Sequence, residues 1–156
     1  MKIIDRKLLD RLSGEAGEHP RRRKNWNIHQ NDAFCCHRLL NAIEPGSYIR
    51  PHRHLDPAKD ETFLIVRGRL GVVLFDESGQ VARKILLDAA GDTLAVDIPH
   101  GLFHGAVSLA PGTVFFEAKA GPYRPLADGE KADWAPEDGS PEAAAYLLSL
   151  EGLFRS

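Results

Sequence analysis

The chain has 156 residues, and its 20 lysines and arginines stand against 22 aspartates and glutamates, which gives a formal net charge of −2. This length is typical of one domain with one hydrophobic core. The near balance of charge excludes an overall field that would attract nucleic acid or an anionic membrane. We therefore expect a small-molecule ligand, with no nucleic acid and no membrane as partner.

The N-terminal segment combines a helical pattern with many charges. Its apolar residues recur at helical spacing, at Ile4, Leu8, Leu9 and Leu12. This pattern predicts a short amphipathic helix over about residues 4–14. Charged side chains interrupt every apolar run in the segment, which argues against a signal peptide or a membrane span and leads us to expect a cytoplasmic protein.

A basic segment, HPRRRKNWN at residues 19–27, follows this helix. We expect it to be a surface linker. Its four consecutive cations, residues 21–24, could hold an anionic ligand. A solvated loop is the interpretation we favour, because no array of interleaved aromatic side chains accompanies them.

Short apolar runs alternate with turn residues from about residue 35 to 120. Eight such runs, including HRLLNAIE, SYIRPHRH and TVFFEAK, are separated by turn sequences such as PG, DESG and APG. These separators are typical of antiparallel connections. The pattern predicts an all-β fold, either a single β-barrel or a jelly roll, and one domain over residues 1–156.

The last apolar segment, PEAAAYLLSLEGLF, predicts a C-terminal helix at about residues 141–151. Such a helix could pack on the outside of the barrel or on a second subunit. Because small barrels often pair through edge strands and terminal helices, we expect a homodimer.

The stretch GSYIRPHRHLDPAKDETF places polar residues where an apolar barrel interior is expected. Strand side chains alternate between faces, so His52 and His54 are expected to share a face with Tyr48 and Arg50. An unpaired buried polar group costs about 1–3 kcal/mol, so these imidazoles need partners. A divalent metal takes imidazole and carboxylate ligands, and Glu61 begins the next apolar run.

A fourth metal ligand is predicted in IPHGLFHGAV, where His104 begins a strand after a tight turn. The predicted ligands are His52, His54, Glu61 and His104. Three nitrogens and one oxygen suit iron, nickel, manganese and zinc alike. The expected cofactor is therefore one divalent transition metal, and the sequence does not name it.

These spacings resemble the two motifs of the cupin superfamily. The anchors of the first motif are Gly46, His52, His54, Glu61 and Gly68, and those of the second are Pro99, Gly101 and His104. The spacer before Glu61 has six residues, and Ser108 stands where an asparagine often closes the second motif. The resemblance implies a cupin-type jelly-roll β-barrel whose metal ligands are the two histidines of the first motif, its glutamate and the histidine of the second.

The sequence is also similar to a narrower group, the WbuC family of cupin-fold metalloproteins. The segments that carry this resemblance are PGSYIRPHRH, KAGPY and WAPED, and it extends over about residues 25–138. It implies a setting that includes polysaccharide biosynthesis, but it names no substrate.

Four further residues are expected to bind the substrate. Arg50 is expected near the metal, with a salt bridge to a buried acid such as Glu117 as the alternative. Tyr48 would be a hydroxyl donor or a wall residue. Glu117 and Lys119 alternate onto one face of a strand, which indicates a polar barrel interior, and Lys119 with Tyr123 would complete an anion pocket.

Three functions fit these residues. The first is a metal-dependent enzyme for a small, oxygen-rich, sugar-like or carboxylic acid substrate, either an isomerase or epimerase or a dioxygenase, with the metal as Lewis acid. The second is a non-catalytic, metal-dependent metabolite-binding module, favoured by the lack of an obvious proton-transfer pair. The third is a metal-stabilised structural unit.

The other histidines are expected to be structural or exposed. They are His19, His29, His37 and His100. His29 differs from the others because its segment, NWNIHQND, is rich in side-chain amides for a loop.

Overall fold

A computed structural model describes residues 1–155. The elements in chain order are α1 (Arg6–Glu18), β1 (Arg23–Asn27), β2 (Cys36–Ile43), β3 (Glu61–Arg67), β4 (Arg69–Phe75), β5 (Val81–Asp88), β6 (Ala95–Ile98), β7 (Phe103–Ser108), β8 (Thr113–Ala120) and α2 (Ala143–Gly152). Neither of the helices in this range is long and apolar enough to cross a membrane.

The strands form two antiparallel sheets. One has five strands in the order β1-β2-β8-β3-β6, and the other has three in the order β5-β4-β7. Apolar side chains from both sheets meet in one core, to which β3 contributes Ile65 and the smaller sheet contributes Leu70, Val72 and Leu87. The prediction of an all-β jelly-roll β-barrel with short terminal helices is confirmed.

The two helices pack on opposite outer faces of the barrel. Helix α1 places Leu8, Leu12 and Ala16 against Leu40 and Val114 of the five-stranded sheet. It ends at Glu18, beyond the predicted end near residue 14. The buried Ala16 explains this extension, since the last helical turn has a packing partner.

Helix α2 covers the smaller sheet and lies close to its predicted position. Its buried residues Leu147 and Leu150 pack with Val73, Phe75 and Val107. Within the chain, helix α2 therefore packs on the outside of the barrel, which was one of the two surfaces expected for it.

The expectation of a surface linker at residues 19–27 is wrong. Strand β1 pairs with β2 from Arg23 opposite Ile43 to Asn27 opposite Leu39. Trp26 packs toward helix α1, and Arg23 donates to the Tyr48 carbonyl oxygen at 2.6 Å. An edge strand tolerates this many cations because its outer edge is in contact with water.

The pairing register creates rows of side chains across the inner face of the larger sheet. One row runs from His37 through Lys119 and Glu61 to Ile98. The next runs from Leu39 through Glu117 and Phe63 to Val96, and a third joins Asn41, Phe115 and Ile65. The inner face therefore changes from charged to apolar along the same strands.

Candidate metal centre

Three segments of the chain bring the predicted ligands together. Glu61 begins strand β3, and His104 is the second residue of β7. His52 and His54 lie in the irregular segment between β2 and β3. The His52 N–H donates to the His104 carbonyl oxygen at 3.0 Å, and the His104 N–H donates to that of His52 at 2.9 Å. This isolated bridge fixes the first histidine beside β7.

The ligand atoms of His52, His54 and Glu61 all lie within 4.8 Å of one another. Glu61 Oε1 is 2.9 Å from His54 Nε2, and Oε2 is 2.9 Å from His104 Nε2. His104 lies outside this group of three, but its Nε2 contacts the shared carboxylate. The group of His52, His54 and Glu61 could therefore hold a metal.

The hydrogen bonds of two of these histidines fit a metal ligand set. His52 Nδ1 is 3.2 Å from the Arg50 carbonyl oxygen, and His104 Nδ1 is 3.0 Å from that of Leu102. A neutral imidazole has one N–H, so donation from Nδ1 leaves Nε2 with a free lone pair. Without metal, Nε2 of His104 shares a proton with Glu61 Oε2 in a hydrogen bond of 2.9 Å, and a bound cation would replace that proton between the two atoms.

The pKa values of two predicted ligands favour the forms that bind metal. Burial lowers the pKa of His52 to about 3, and the neighbouring His104 adds to the effect. Burial by itself raises the pKa of Glu61, but hydrogen bonds with His104 and His54 and the charge of Lys119 hold that pKa well below its usual value. The imidazole is therefore neutral and the carboxyl ionised at neutral pH, which are the forms that coordinate metals.

Lys119 joins the cluster to a second carboxylate. Its Nζ lies 2.5 Å from Glu61 Oε1 and 2.6 Å from Glu117 Oε1. Asn41 Nδ2 donates to Glu117 Oε2 at 2.6 Å. Burial by itself lowers the pKa of Lys119. The charges of Glu117 and Glu61 outweigh this effect and raise that pKa above its usual value. These three charged groups carry one excess negative charge, which a divalent cation would change to one excess positive charge.

A cavity of about 410 Å³ adjoins the cluster. His52, Glu61 and His104 line it, together with the apolar side chains of Ile43, Ile49, Phe63 and Phe115. Lys119 and Tyr123, both predicted to bind substrate, also line it, and Arg21 and Lys24 lie at its rim. The cavity offers polar groups near the cluster and an apolar wall elsewhere, as small-molecule sites commonly do.

The placement expected for Tyr48 is wrong. This residue does not line the cavity, because its ring packs with Leu147 and Phe75 on the outside of the smaller sheet. Its hydroxyl donates to the Pro136 carbonyl oxygen at 2.7 Å. Burial raises the pKa of this hydroxyl above its usual value.

The placement expected for Arg50 is also wrong. Its Nε and Nη2 donate to the Ala132 carbonyl oxygen at 3.0 and 2.8 Å, and it pairs with Asp133 and Glu137. The alternative salt bridge to Glu117 is not formed, since that carboxylate binds Lys119. The physical reason is that residues 47–51 are not in a strand, so the alternation of faces does not apply to them.

Sequence reasoning missed Asn41 and the histidine pair His29 and His37. The two histidine rings are buried and stacked, with centroids 4.0 Å apart. The signal for Asn41 was a single amide at an inward position of the apolar run HRLLNAIE. The signal for His29 was the amide-rich segment around it.

Three solved structures are similar in fold. KdgF from Halomonas sp. is 23% identical, with a TM-score of 0.52, and the match covers 69% of this chain and 85% of that one. The Thermus thermophilus protein TT1209 is 21% identical, with a TM-score of 0.55 and coverage of 77% and 97%. The formate complex of Lactobacillus farciminis oxalate decarboxylase is 21% identical, with a TM-score of 0.50, and the match covers 65% of this chain and 29% of that one. Likeness at these identities shows the fold alone.

The architecture is the jelly-roll β-barrel with short terminal helices that the sequence predicted. The ligand-bearing residues of both motifs meet within this barrel. No curated protein matches the chain. A family described as "Domain of unknown function (DUF6016)" matches residues 4–87, which include His52, His54 and Glu61. This match extends over more than half of the sequence, and the chain therefore belongs to the DUF6016 family.

Proposed function

We propose that this protein is a metal-dependent cupin that acts on, or binds, a small oxygen-rich metabolite, either sugar-like or a carboxylic acid. The observation that carries the proposal is the group of His52, His54 and Glu61, of which His52 and Glu61 line an open cavity of about 410 Å³. A metal with a purely structural role does not need an open cavity beside its ligands.

The proposed metal ligands are His52, His54, Glu61 and His104, and the proposed ion is one divalent transition metal, iron, nickel, manganese or zinc. A metal bound there would supply Lewis-acid polarisation of a carbonyl or hydroxyl oxygen. The carbonyl oxygens of Arg50 and Leu102 orient two of the imidazoles through Nδ1.

Lys119 and Tyr123 are the proposed substrate-binding residues. Without metal, the ammonium of Lys119 is paired with Glu61 and Glu117; a metal that takes Glu61 as a ligand would weaken that pairing and let Lys119 counter negative charge on an oxygen bound at the metal. Tyr123 is 60% exposed and forms part of the wall of the cavity.

The second candidate is a binding module without catalysis. Glu117 is the one carboxylate besides Glu61 on the wall of this cavity, within the part of the chain that the structure describes. Both of its oxygens are engaged, Oε1 by Lys119 and Oε2 by Asn41. A carboxylate held in this way is a weak proton acceptor, which favours binding over isomerase or epimerase chemistry.

Membership of the WbuC family, a link to polysaccharide biosynthesis, a cytoplasmic location and a homodimeric state belong to the same proposal. The segments PGSYIRPHRH, KAGPY and WAPED support the family and the link. Helix α2, with Leu148 58% exposed beside its buried face, offers an apolar position for a dimer contact.

The first experiment is elemental analysis and metal titration of wild-type protein, His52→Ala and His100→Ala. His100 is a matched control because its imidazole pairs with the exposed Asp60 and is not one of the proposed ligands. We expect about one ion per chain in wild type and control, and loss of stoichiometric binding in His52→Ala. Full metal binding by His52→Ala contradicts the proposal.

The second experiment separates the two candidates. Metal-loaded wild-type protein is incubated with a panel of sugars, sugar acids and small carboxylic acids, and products are followed by NMR. Conversion of a panel member that requires metal identifies an enzyme. Saturable binding without conversion identifies a binding module.

A further inference from the structure

A second cavity of about 230 Å³ lies beside the metal centre. We call it the asparagine–histidine cleft, and its lining residues include Asn25, Asn27, His29, Asp32, His37 and Leu39. Asn25, Leu39, Lys119 and Tyr123 line both this cleft and the cavity at the metal centre. The two spaces are therefore neighbours that share four side chains.

The strand register explains why these side chains converge. Asn25 and Asn27 lie opposite Asn41 and Leu39 of β2, whose side chains face the barrel interior. His37 lies opposite Lys119 on the other side of β2. The two amides of β1 thus continue the polar end of the inner face, at the edge of the sheet.

The histidine pair presents unused polar atoms to the cleft. His29 and His37 are each 4% exposed, and their rings stack at 4.0 Å with an interplanar angle of 14°. The backbone of Arg38 contacts His29 Nδ1, and the Asp32 carbonyl oxygen contacts His37 Nε2 at 3.1 Å. Within residues 1–155, the second nitrogen of each ring has no hydrogen-bond partner in the protein. Two nearly buried rings that line the cleft therefore each keep one nitrogen available to a ligand.

The charge of the cleft disfavours an anion. Among the residues that the structure describes, Lys119 is its one lysine or arginine, and that ammonium is already engaged by Glu61 and Glu117. Asp32 adds a carboxylate. A phosphate or carboxylate would therefore find the cation of this wall already paired, so the cleft suits a neutral ligand.

The polar atoms of the cleft instead match hydroxyl groups. Asn25 Nδ2 donates to Asn27 Oδ1 at 2.9 Å, which leaves one amide oxygen and one amide nitrogen free to accept and to donate. A hydroxyl group both donates and accepts, so a ligand with several hydroxyls uses such a mixed set fully. Tyr123, 60% exposed, adds an aromatic face against which the C–H side of a sugar ring can pack.

We propose that the asparagine–histidine cleft binds a neutral, hydroxyl-rich sugar ring beside the metal centre. The cleft needs no metal for this. That the ring is one unit of a larger substrate, with its reacting unit at the metal, rests on the proposed function. The substrate class is then a glycoside or sugar conjugate with at least two units rather than a small acid alone.

The test uses the full chain with labelled histidine, in metal-free and metal-loaded forms, and the methyl glycosides of glucose, galactose and mannose as probes. We expect at least one glycoside to give saturable imidazole shifts at His29 and His37 in both forms. Asn25→Ala and Tyr123→Ala should each weaken that binding about five- to tenfold. Gln30→Ala, an exposed amide that does not line the cleft, should bind as wild type does.

Absence of shifts at His29 and His37 with all three glycosides overturns the proposal, and so does wild-type affinity in both Asn25→Ala and Tyr123→Ala. Adenosine is a further probe, and cleft shifts with adenosine but with no glycoside overturn the sugar assignment. Sugar binding in a protein that takes up no metal supports the cleft while it contradicts the proposed function. Metal binding with no sugar-induced shift supports the metal site of the proposed function while it contradicts sugar binding in the cleft.

Discussion

The interior of the barrel has two halves that differ in chemistry although the same strands build them. Strand β3 begins with Glu61 and continues to the buried Ile65, and β8 runs from the buried Phe115 to Lys119. Strand β7 carries His104 near its start and the buried Val107 near its end. The difference teaches that this fold separates its candidate site from its apolar packing along each strand, not between strands.

The two halves also differ in what stabilises them. Leu70, Val72 and Leu87 have no exposed surface, and burial of such a side chain contributes about 1.5–3 kcal/mol. In the charged half, burial of Glu61 and Lys119 is unfavourable unless their charges pair. We therefore expect stability to depend mainly on the apolar half and ligand binding on the charged half.

The largest test of this separation is Leu70→Ala in the apolar half. A cavity there should lower the free energy of unfolding by about 2–5 kcal/mol, while the folded fraction keeps its metal stoichiometry. Urea unfolding and metal titration measure the two effects. Leu64→Ala, on a side chain that is 41% exposed, should stay within about 0.5 kcal/mol of wild type. Loss of metal binding by Leu70→Ala with unchanged stability would contradict the separation of the two halves.

The next test removes the cation of the charged half through Lys119→Met. Glu61 and Glu117 then lose their shared counter-ion, and the metal-free protein should lose up to about 3 kcal/mol. Metal should stabilise this variant more than wild type, because the ion replaces the missing charge. Thermal unfolding with and without metal measures this.

The control for that variant is Lys24→Met, since Lys24 is exposed and its Nζ lies 3.6 Å from Glu15. It should change stability by about 1 kcal/mol or less. Equal metal stabilisation of Lys119→Met and wild type would show that Lys119 and the metal do not share a charge-balancing role.

A pH series on metal-free protein tests the charged half further. The folded pKa of His52 is about 3 against an ordinary 6.5, so between these values the unfolded chain binds more protons than the folded chain. Stability should therefore fall as the pH drops through this window, by up to about 1.4 kcal/mol per pH unit. Glu61, whose folded pKa is also lowered, adds a loss of the same sign below its usual value of 4.5.

His52→Gln should flatten that slope between about pH 6 and pH 4, as measured by urea unfolding at several pH values. His100→Gln is the matched control, because the imidazole of His100 is exposed and pairs with the exposed Asp60. An equal slope in wild type and His52→Gln would mean that the pKa of His52 is the same in the folded and the unfolded state.

The smallest effect is expected outside both halves, at the start of helix α1. Asp5 caps this helix by accepting from the Leu8 N–H at 2.9 Å. Asp5→Ala should cost about 0.5–2 kcal/mol, and Asp5→Asn, which keeps the acceptor, should cost less. Metal binding should be the same in both variants, and a change in it would connect α1 to the site.

Local rules predicted much of this molecule. Apolar runs and turn residues located strands β2 to β8, and helical spacing located both helices to within a few residues. The rules failed at β1, where a basic segment pairs with β2 through Arg23 and Asn25. They failed again at Tyr48 and Arg50, because alternation of side chains holds only where a strand is paired.

The sequence by itself determined the fold class and the spacing of His52, His54, Glu61 and His104, since both follow from residue order and periodicity. The tertiary structure decided which polar residues share a space with them. Lys119 lies between two carboxylates, and Asn25 and Asn27 lie near His37, because the pairing of β1, β2, β8 and β3 aligns residues that are far apart in the chain. Such registers depend on the packing of whole sheets and cannot be read from any one segment.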